Sequence, residues 1–195
     1  WEQLEKHHVK LKRWNVNALS DAHRDRVLNE LEQCIGEEEH VRVFVHALSK
    51  GNLKALRGEK PLTGKDIQLT TEAMGINFYR WASEIRKRKL FQPGSRCLGF
   101  TSAGNERVWK HYGAVSAAKN VLESLMRSMA VEWGPEGIRS NLIQAGITDT
   151  PSLRAIPGYE YLLDQSAKNN PLGRNTKPGD IAGVVELLCR AQSDW

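Results

Sequence analysis

A chain of 195 residues with 40% hydrophobic and 26% charged residues can bury one substantial core and lacks the composition of a disordered protein. Its formal net charge of +5 is not arranged as a basic face interleaved with aromatics, so nucleic-acid binding is not expected, and no apolar run approaches the roughly 18 residues needed to span a bilayer. The opening Trp1-Glu2-Gln3-Leu4-Glu5-Lys6 has no signal-peptide core, which predicts a cytoplasmic, membrane-free protein.

Strand and helix signals then alternate. Val9 to Val16 reads as a strand, followed by a helix opened by Ser20, with Val27, Leu28, Leu31 and Ile35 on one stripe and Gly36 as its stop. Val41 to Leu48 is a β-branched, mostly apolar run of the kind that fills a sheet interior. Residues 52–69, with Gly58, Pro61 and Gly64, read as a surface loop before a helix over about 70–89. Arg96 to Thr101 is a third strand. A long helix follows, in which Val115, Ala118, Val121, Leu122, Leu125, Met126 and Met129 recur at three-and-four spacing until Gly134-Pro135 ends it. A fourth strand at Ser140 to Ile143 leads to a turn at Ala145-Gly146, a polar segment and a last helix starting near Asp180. This alternation predicts an α/β fold with a doubly wound, Rossmann-like parallel sheet in a single domain over residues 1–195.

Three stretches carry chemistry: Phe100-Thr101-Ser102-Ala103-Gly104, then Tyr112-Gly113-Ala114-Val115-Ser116-Ala117-Ala118-Lys119, then Gly134-Pro135-Glu136-Gly137-Ile138-Arg139-Ser140-Asn141. In this order they resemble the short-chain dehydrogenase/reductases, in which a strand-end hydroxyl, a tyrosine and a helical lysine precede a turn that binds nicotinamide. The Tyr-x6-Lys spacing, with Ser116 where the wider family has its lysine, is similar to the enoyl-acyl-carrier-protein reductase branch. Gly104-Asn105-Glu106-Arg107 and Asn169-Asn170-Pro171-Leu172-Gly173-Arg174 resemble two further stretches of that branch.

The resemblance implies hydride transfer from NADPH or NADH to the double bond of an enoyl thioester carried by acyl carrier protein, in fatty acid synthesis. A donor must meet the negative charge that develops on the thioester oxygen. The implied catalytic residues are Tyr112 as that donor, Lys119 as electrostatic support and ribose anchor, and Ser102 as a substrate-oxygen contact, weighed against a strand-end hydrogen bond. Seven residues of helix rise about 10.5 Å, so Tyr112 and Lys119 share a face without touching. The implied cofactor contacts are Asn15 and Val16 for adenine, Ala47, Leu48 and Ser49 for ribose, Lys119 again, and Ile147, Thr148 and Thr150 for the nicotinamide amide.

Asn77 matches an asparagine that bends the central helix in the wider family, set against a plain surface amide, and His46 reads as a buried structural histidine. No metal is expected, because Cys34, Cys97 and Cys189 form no CxxC pair and adjacent His7 and His8 point different ways with no carboxylate partner. The family implies a homo-oligomer, dimer or tetramer, built from helices at about 72–88 and 113–133. Met126, Met129 and Trp133 read as its outward apolar residues. The run Arg86-Lys87-Arg88-Lys89 reads as a solvated surface, or as a docking patch for an acidic carrier. No G-x-G-x-x-G phosphate loop occurs, so the domain is expected to be truncated at both ends relative to the family. Another short-chain reductase, on coenzyme A thioesters or carbonyls, and a catalytically silent scaffold are the competing expectations.

Overall fold

The computed structural model describes residues 10–36 and 38–190. They group into two compact units, within Trp1–Glu38 and within Glu39–Trp195.

In the first unit the helix α1 spans Asp21–Glu32 and is capped by Ser20, whose Oγ accepts from the His23 N–H at 3.4 Å. That start matches the sequence signal. The strand expected from Val9 to Val16 does not form: Val9 lies outside the described residues, and 10–16 carry no ladder. Its side chains are instead tied to α1 and the turn that follows it, Trp14 Nε1 donating to Glu30 at 2.7 Å and Lys12 Nζ to Cys34 Sγ at 3.0 Å. Apolar alternation favours a strand only where a neighbour offers ladder partners, and among the described residues none does.

The second unit is built on three parallel strands, β1 (Val43–His46), β2 (Arg96–Thr101) and β3 (Arg139–Gln144), in the order β1-β2-β3. His46 pairs with Gly99, and Gly99 with Leu142. The first strand is shorter than its apolar run because Val41 donates to Leu90 instead, and Ala47 and Leu48 lie past the last pair.

One sheet face is covered by a helix entered at Thr63. α2 spans Gly64–Thr71, passes into a π turn at Glu72–Ile76 and continues as α3, Asn77–Lys87. The sequence reading placed this start near residue 70. It falls at Gly64 because Thr63 and Asp66 form a capping box, each side chain satisfying an orphan N–H of the other residue. Replacing Thr63 with alanine is expected to cost about 1 kcal/mol, seen as a lower denaturation midpoint at unchanged m-value. Hydrogen bonds from the Thr63 hydroxyl first, then from Lys54 and the Thr63 N–H, hold the Asp66 carboxyl from its ordinary 3.8 down to about 2. This contribution is complete above the ordinary value and is lost as pH falls through about 2.

The long helix α4, Gly113–Trp133, packs on the same face. A Cβ on Gly99 would stand 2.9 Å from Leu142 and 3.4 Å from Met126, so glycine here lets helix and sheet close up. Burying a side chain such as Phe78, Leu98 or Leu122, each no more than 1% exposed, is worth roughly 1.5–3 kcal/mol. Met126, Met129 and Trp133 are also buried, which corrects their reading as outward association residues. The buried stripe of α4 is wider than the periodicity suggested. Trp133 stacks on Tyr79 at 6.1 Å and lies under the Arg86 guanidinium.

The basic run is partly spent internally: Arg86 pairs with Glu136, Lys87 with Glu84 at 2.6 Å, and Lys89 adopts a left-handed conformation just past the helix end. On the opposite sheet face Arg96 donates to the carbonyls of Leu188 and Arg190, at 2.8 and 3.1 Å. Before these lie α5 (Pro151–Arg154), α6 (Tyr159–Asn169) and α7 (Pro178–Leu188). The first two occupy the segment read as merely polar. Among the described residues no helix is long and apolar enough to cross a membrane.

Candidate active site

The carboxyl ends of parallel strands are where open α/β sheets bind ligands, because loops diverge there and leave a crevice. In this chain β2 ends at Thr101, and a 3-10 turn at Ala103–Asn105 follows. Ser102 caps that turn, its Oγ accepting from the Gly104 N–H at 3.2 Å. The same Oγ lies 3.1 Å from the hydroxyl of Tyr112, the residue that opens α4. Tyr112 is held from two sides. Its ring lies so close over Gly104 that any Cβ there would collide with it, and Trp109 meets it edge-on at 5.7 Å.

Lys119 is buried two turns along α4, and its Nζ donates to the Phe100 carbonyl at 2.6 Å. Burial draws its pKa from 10.5 down to about 8, against an opposing pull from Glu123. His46, at the end of β1, shares a 3.1 Å hydrogen bond with the Asn77 side-chain oxygen. Burial lowers the histidine's pKa, the hydrogen bond opposes this, and the charge of Lys119 adds to it. His46 is therefore a buried, hydrogen-bonded side chain at the strand end. Asn77 is buried rather than a surface amide, and it directly follows the π turn. Such turns often mark functional sites because their extra residue re-aims the helix.

A cavity of about 1190 Å³ opens in front of these residues, large for a small-molecule site. Ser102 and Tyr112 line it together with Ser49, Ile147, Thr148 and Thr150. Ala47 and Leu48 sit just beyond β1 and are not on the lining, and Lys119 lies behind it against the Phe100 carbonyl. Asn15 and Val16 belong to the first unit, outside any helix or ladder. Sequence reasoning missed a second wall made by Trp109, Leu153, Ile156, Tyr161 and Leu162, several of them in the segment read as polar. Thr148 is tied across to Thr176 by a parallel bridge, which fixes the loop after β3.

A parallel sheet covered by helices gathers a tyrosine, a serine and a buried lysine at its carboxyl end, where open α/β sheets bind ligands. The family described as Enoyl-(Acyl carrier protein) reductase matches residues 3–195, and the chain belongs to it. Enoyl-[acyl-carrier-protein] reductase [NADH] 1 of Rhizobium meliloti (strain 1021) is 33% identical over 165 residues, covering 84% of this chain and 59% of that protein. The [NADPH] enzyme of Staphylococcus aureus (strain MRSA252) is 27% identical over 176 residues, covering 90% of this chain and 67% of its own length. The chain thus spans less than two thirds of its Rhizobium relative. Among solved structures, the enoyl-(acyl-carrier-protein) reductase of Anaplasma phagocytophilum, in complex with NAD, superposes with a TM-score of 0.83 at 24% identity, over 99% of this chain and 70% of that one. A putative gluconate dehydrogenase of Agrobacterium tumefaciens gives 0.85 at 20% identity, over 99% and 74%. At these identities the likeness shows the fold: a doubly wound, Rossmann-like sheet.

Proposed function

We propose that this chain is the catalytic part of an NAD(P)H-dependent enoyl-[acyl-carrier-protein] reductase, reducing the carbon-carbon double bond of an enoyl thioester in fatty acid synthesis, in the cytoplasm. The observation that carries the reading is the Tyr112 hydroxyl, paired with Ser102 on the cavity wall with Lys119 buried behind. The relatives' names support the substrate class, and those names include both NADH and NADPH as cofactor. Both compact units are read as parts of one domain, in keeping with the family match across residues 3–195. The assembly is read as a dimer or tetramer through the outer faces of α3 and α4, where Tyr79 and Val131 are exposed.

The residues fit a nicotinamide nucleotide. The loop after β3 offers Ile147, Thr148 and Thr150 to the cavity, and Gly146 passes so close to the Thr176 hydroxyl that a Cβ there would collide with it. When bound, the nicotinamide supplies the hydride that adds to the β-carbon of the substrate. Ile147, Thr148 and Thr150 would hold its amide, and Ser49 its ribose. Negative charge then grows on the thioester oxygen, the Tyr112 O–H hydrogen-bonds to it as it grows, and a proton taken from water at the α-carbon completes the saturated thioester. Ser102 holds the Tyr112 hydroxyl in that direction, and the Lys119 ammonium favours negative charge nearby. The apolar wall of Leu153, Ile156 and Leu162 excludes water and suits an acyl chain.

The Ser102–Tyr112 hydrogen bond also favours a second reading, carbonyl reduction, since two hydroxyls 3.1 Å apart can share one carbonyl oxygen. Product analysis with enoyl and ketoacyl thioesters in the presence of NADH or NADPH decides between them. Saturated thioester from the enoyl substrate is the expected result. Hydroxyacyl product alone would transfer the site to the second reading, and no consumption of either nucleotide by the whole protein would remove both.

A further inference from the structure

Glu123 lies on α4 one helical turn beyond Lys119, with its side chain only 19% exposed. Its Oε1 accepts two short hydrogen bonds, from the Thr101 hydroxyl and from the Asn105 side-chain amide, each 2.5 Å. Its Oε2 has only a loose contact with the exposed Arg127, 3.8 Å away. Thr101 is the last residue of β2 and Asn105 the last of the 3-10 turn, so one carboxylate oxygen spans the segment that contains Ser102. Asn105 Oδ1 is buried without a hydrogen bond among the described residues, which leaves the Glu123 contact to set the orientation of that amide. A charged acceptor shared by two donors is a stronger tie than neutral hydrogen bonds of the same number.

Four residues apart on α4, Glu123 and Lys119 stand on neighbouring turns of one helix side, and the carboxylate's charge acts on the lysine. Among the described residues, Glu123 is the acidic group whose charge acts on Lys119. β1 contributes His46, whose charged form burial disfavours, and β2 contributes the Phe100 carbonyl and the Thr101 hydroxyl. The π turn packs Gly75 on the Ala118 carbonyl, while its Glu72 is paired with Arg80. On α2, Asp66 is engaged by Lys54 and Thr63.

We propose that Glu123 is a positioning residue for the Tyr112, Ser102 and Lys119 site: it fixes the strand end and turn that carry Ser102, and it supplies the counter-charge to the buried lysine. The proposal rests on the reductase reading for its catalytic meaning, but its electrostatic half is independent of it. The buried ammonium is disfavoured by desolvation and supported by Glu123, so removing that charge moves the lysine toward its neutral form.

Glu123→Gln keeps the acceptor oxygen and the shape and removes the charge. Carbon-13 NMR titration of the Lys119 side chain, assigned by its loss in Lys119→Met, is expected to show its midpoint lower in Glu123→Gln by about one pH unit. In the whole protein, the alkaline limb of nucleotide-dependent turnover moves down with it. Glu123→Asp, which keeps the charge on a shorter stem, holds the midpoint near that of the parent and provides the comparison if the glutamine variant does not fold. An unchanged lysine midpoint in Glu123→Gln overturns the proposal whatever happens to thermal stability, as does a fall in Glu123→Asp equal to the one predicted for glutamine. A lowered midpoint in a protein that consumes neither NADH nor NADPH supports the placement of Glu123 and removes the reductase reading instead.

Discussion

Replacing Tyr112 by phenylalanine is expected to lower turnover of an enoyl thioester by roughly 10²–10³-fold, the scale of deleting one donor to a developing oxyanion. The ring can stay where it is, because Gly104 and Trp109 hold its carbon atoms rather than its hydroxyl. The loss should therefore fall on the chemical step and leave nucleotide affinity nearly unchanged. Ser102 would lose its 3.1 Å partner but keep the Gly104 N–H, so the turn should survive. Steady-state kinetics with nucleotide binding by fluorescence checks both halves. Near-parental turnover in Tyr112→Phe would remove the tyrosine from the mechanism.

Lys119→Ala should behave differently. It deletes a positive charge beside the cavity and also the donor to the Phe100 carbonyl, so nucleotide affinity and rate should both fall. An uncompensated buried carbonyl costs about 1–3 kcal/mol, so stability falls as well. Lys119→Met keeps most of the packing and separates these effects. There is also a pH signature. In the folded chain the ammonium gives up its proton at about 8, against 10.5 for an ordinary lysine. Between those values the unfolded chain holds the extra proton, so the parent should gain stability as pH rises through this window. Lys119→Met should lack that gain, and denaturant titrations at pH 8 and pH 10 provide the comparison. An identical gain in both proteins would place the lysine in water rather than in the core.

The parts legible in the sequence were those whose signal is local. β2 was readable because Cys97 to Phe100 suit a sheet interior, β3 because a short segment with Leu142 and Ile143 lies between the Gly134-Pro135 stop and the Ala145-Gly146 turn, and α4 because its apolar residues recur over almost six turns. The start of α2 was equally local, in Thr63 and Asp66, but Gly64 directs attention to a loop. α6 was hidden for another reason: none of its residues is fully buried, so it lacks a clean apolar stripe. The strand reading of 10–16 failed because a ladder depends on a neighbour that no local pattern reports.

At the site, the order of Ser102, Tyr112 and Lys119 suggested a common location, and the serine and tyrosine do meet. The contact of Lys119 with Phe100 and the two hydrogen bonds that Glu123 accepts from Thr101 and Asn105 were beyond reach. They join residues 18 to 22 apart across a strand-turn-helix corner whose geometry exists only after folding.

The π turn at Glu72–Ile76 breaks the helical phase between α2 and α3. An α-helix turns about 100° per residue, so one additional residue within a turn resets the azimuth of everything beyond it. Asp66 and Thr70 before the turn, and Phe78, Ala82 and Ile85 after it, are all buried, yet they need not fall on one continuous helical wheel. The stretch from Gly64 to Lys87 behaves as two cylinders sharing an axis but keyed at different angles. One presents Thr70 to Asn52, and the other turns Asn77 toward His46.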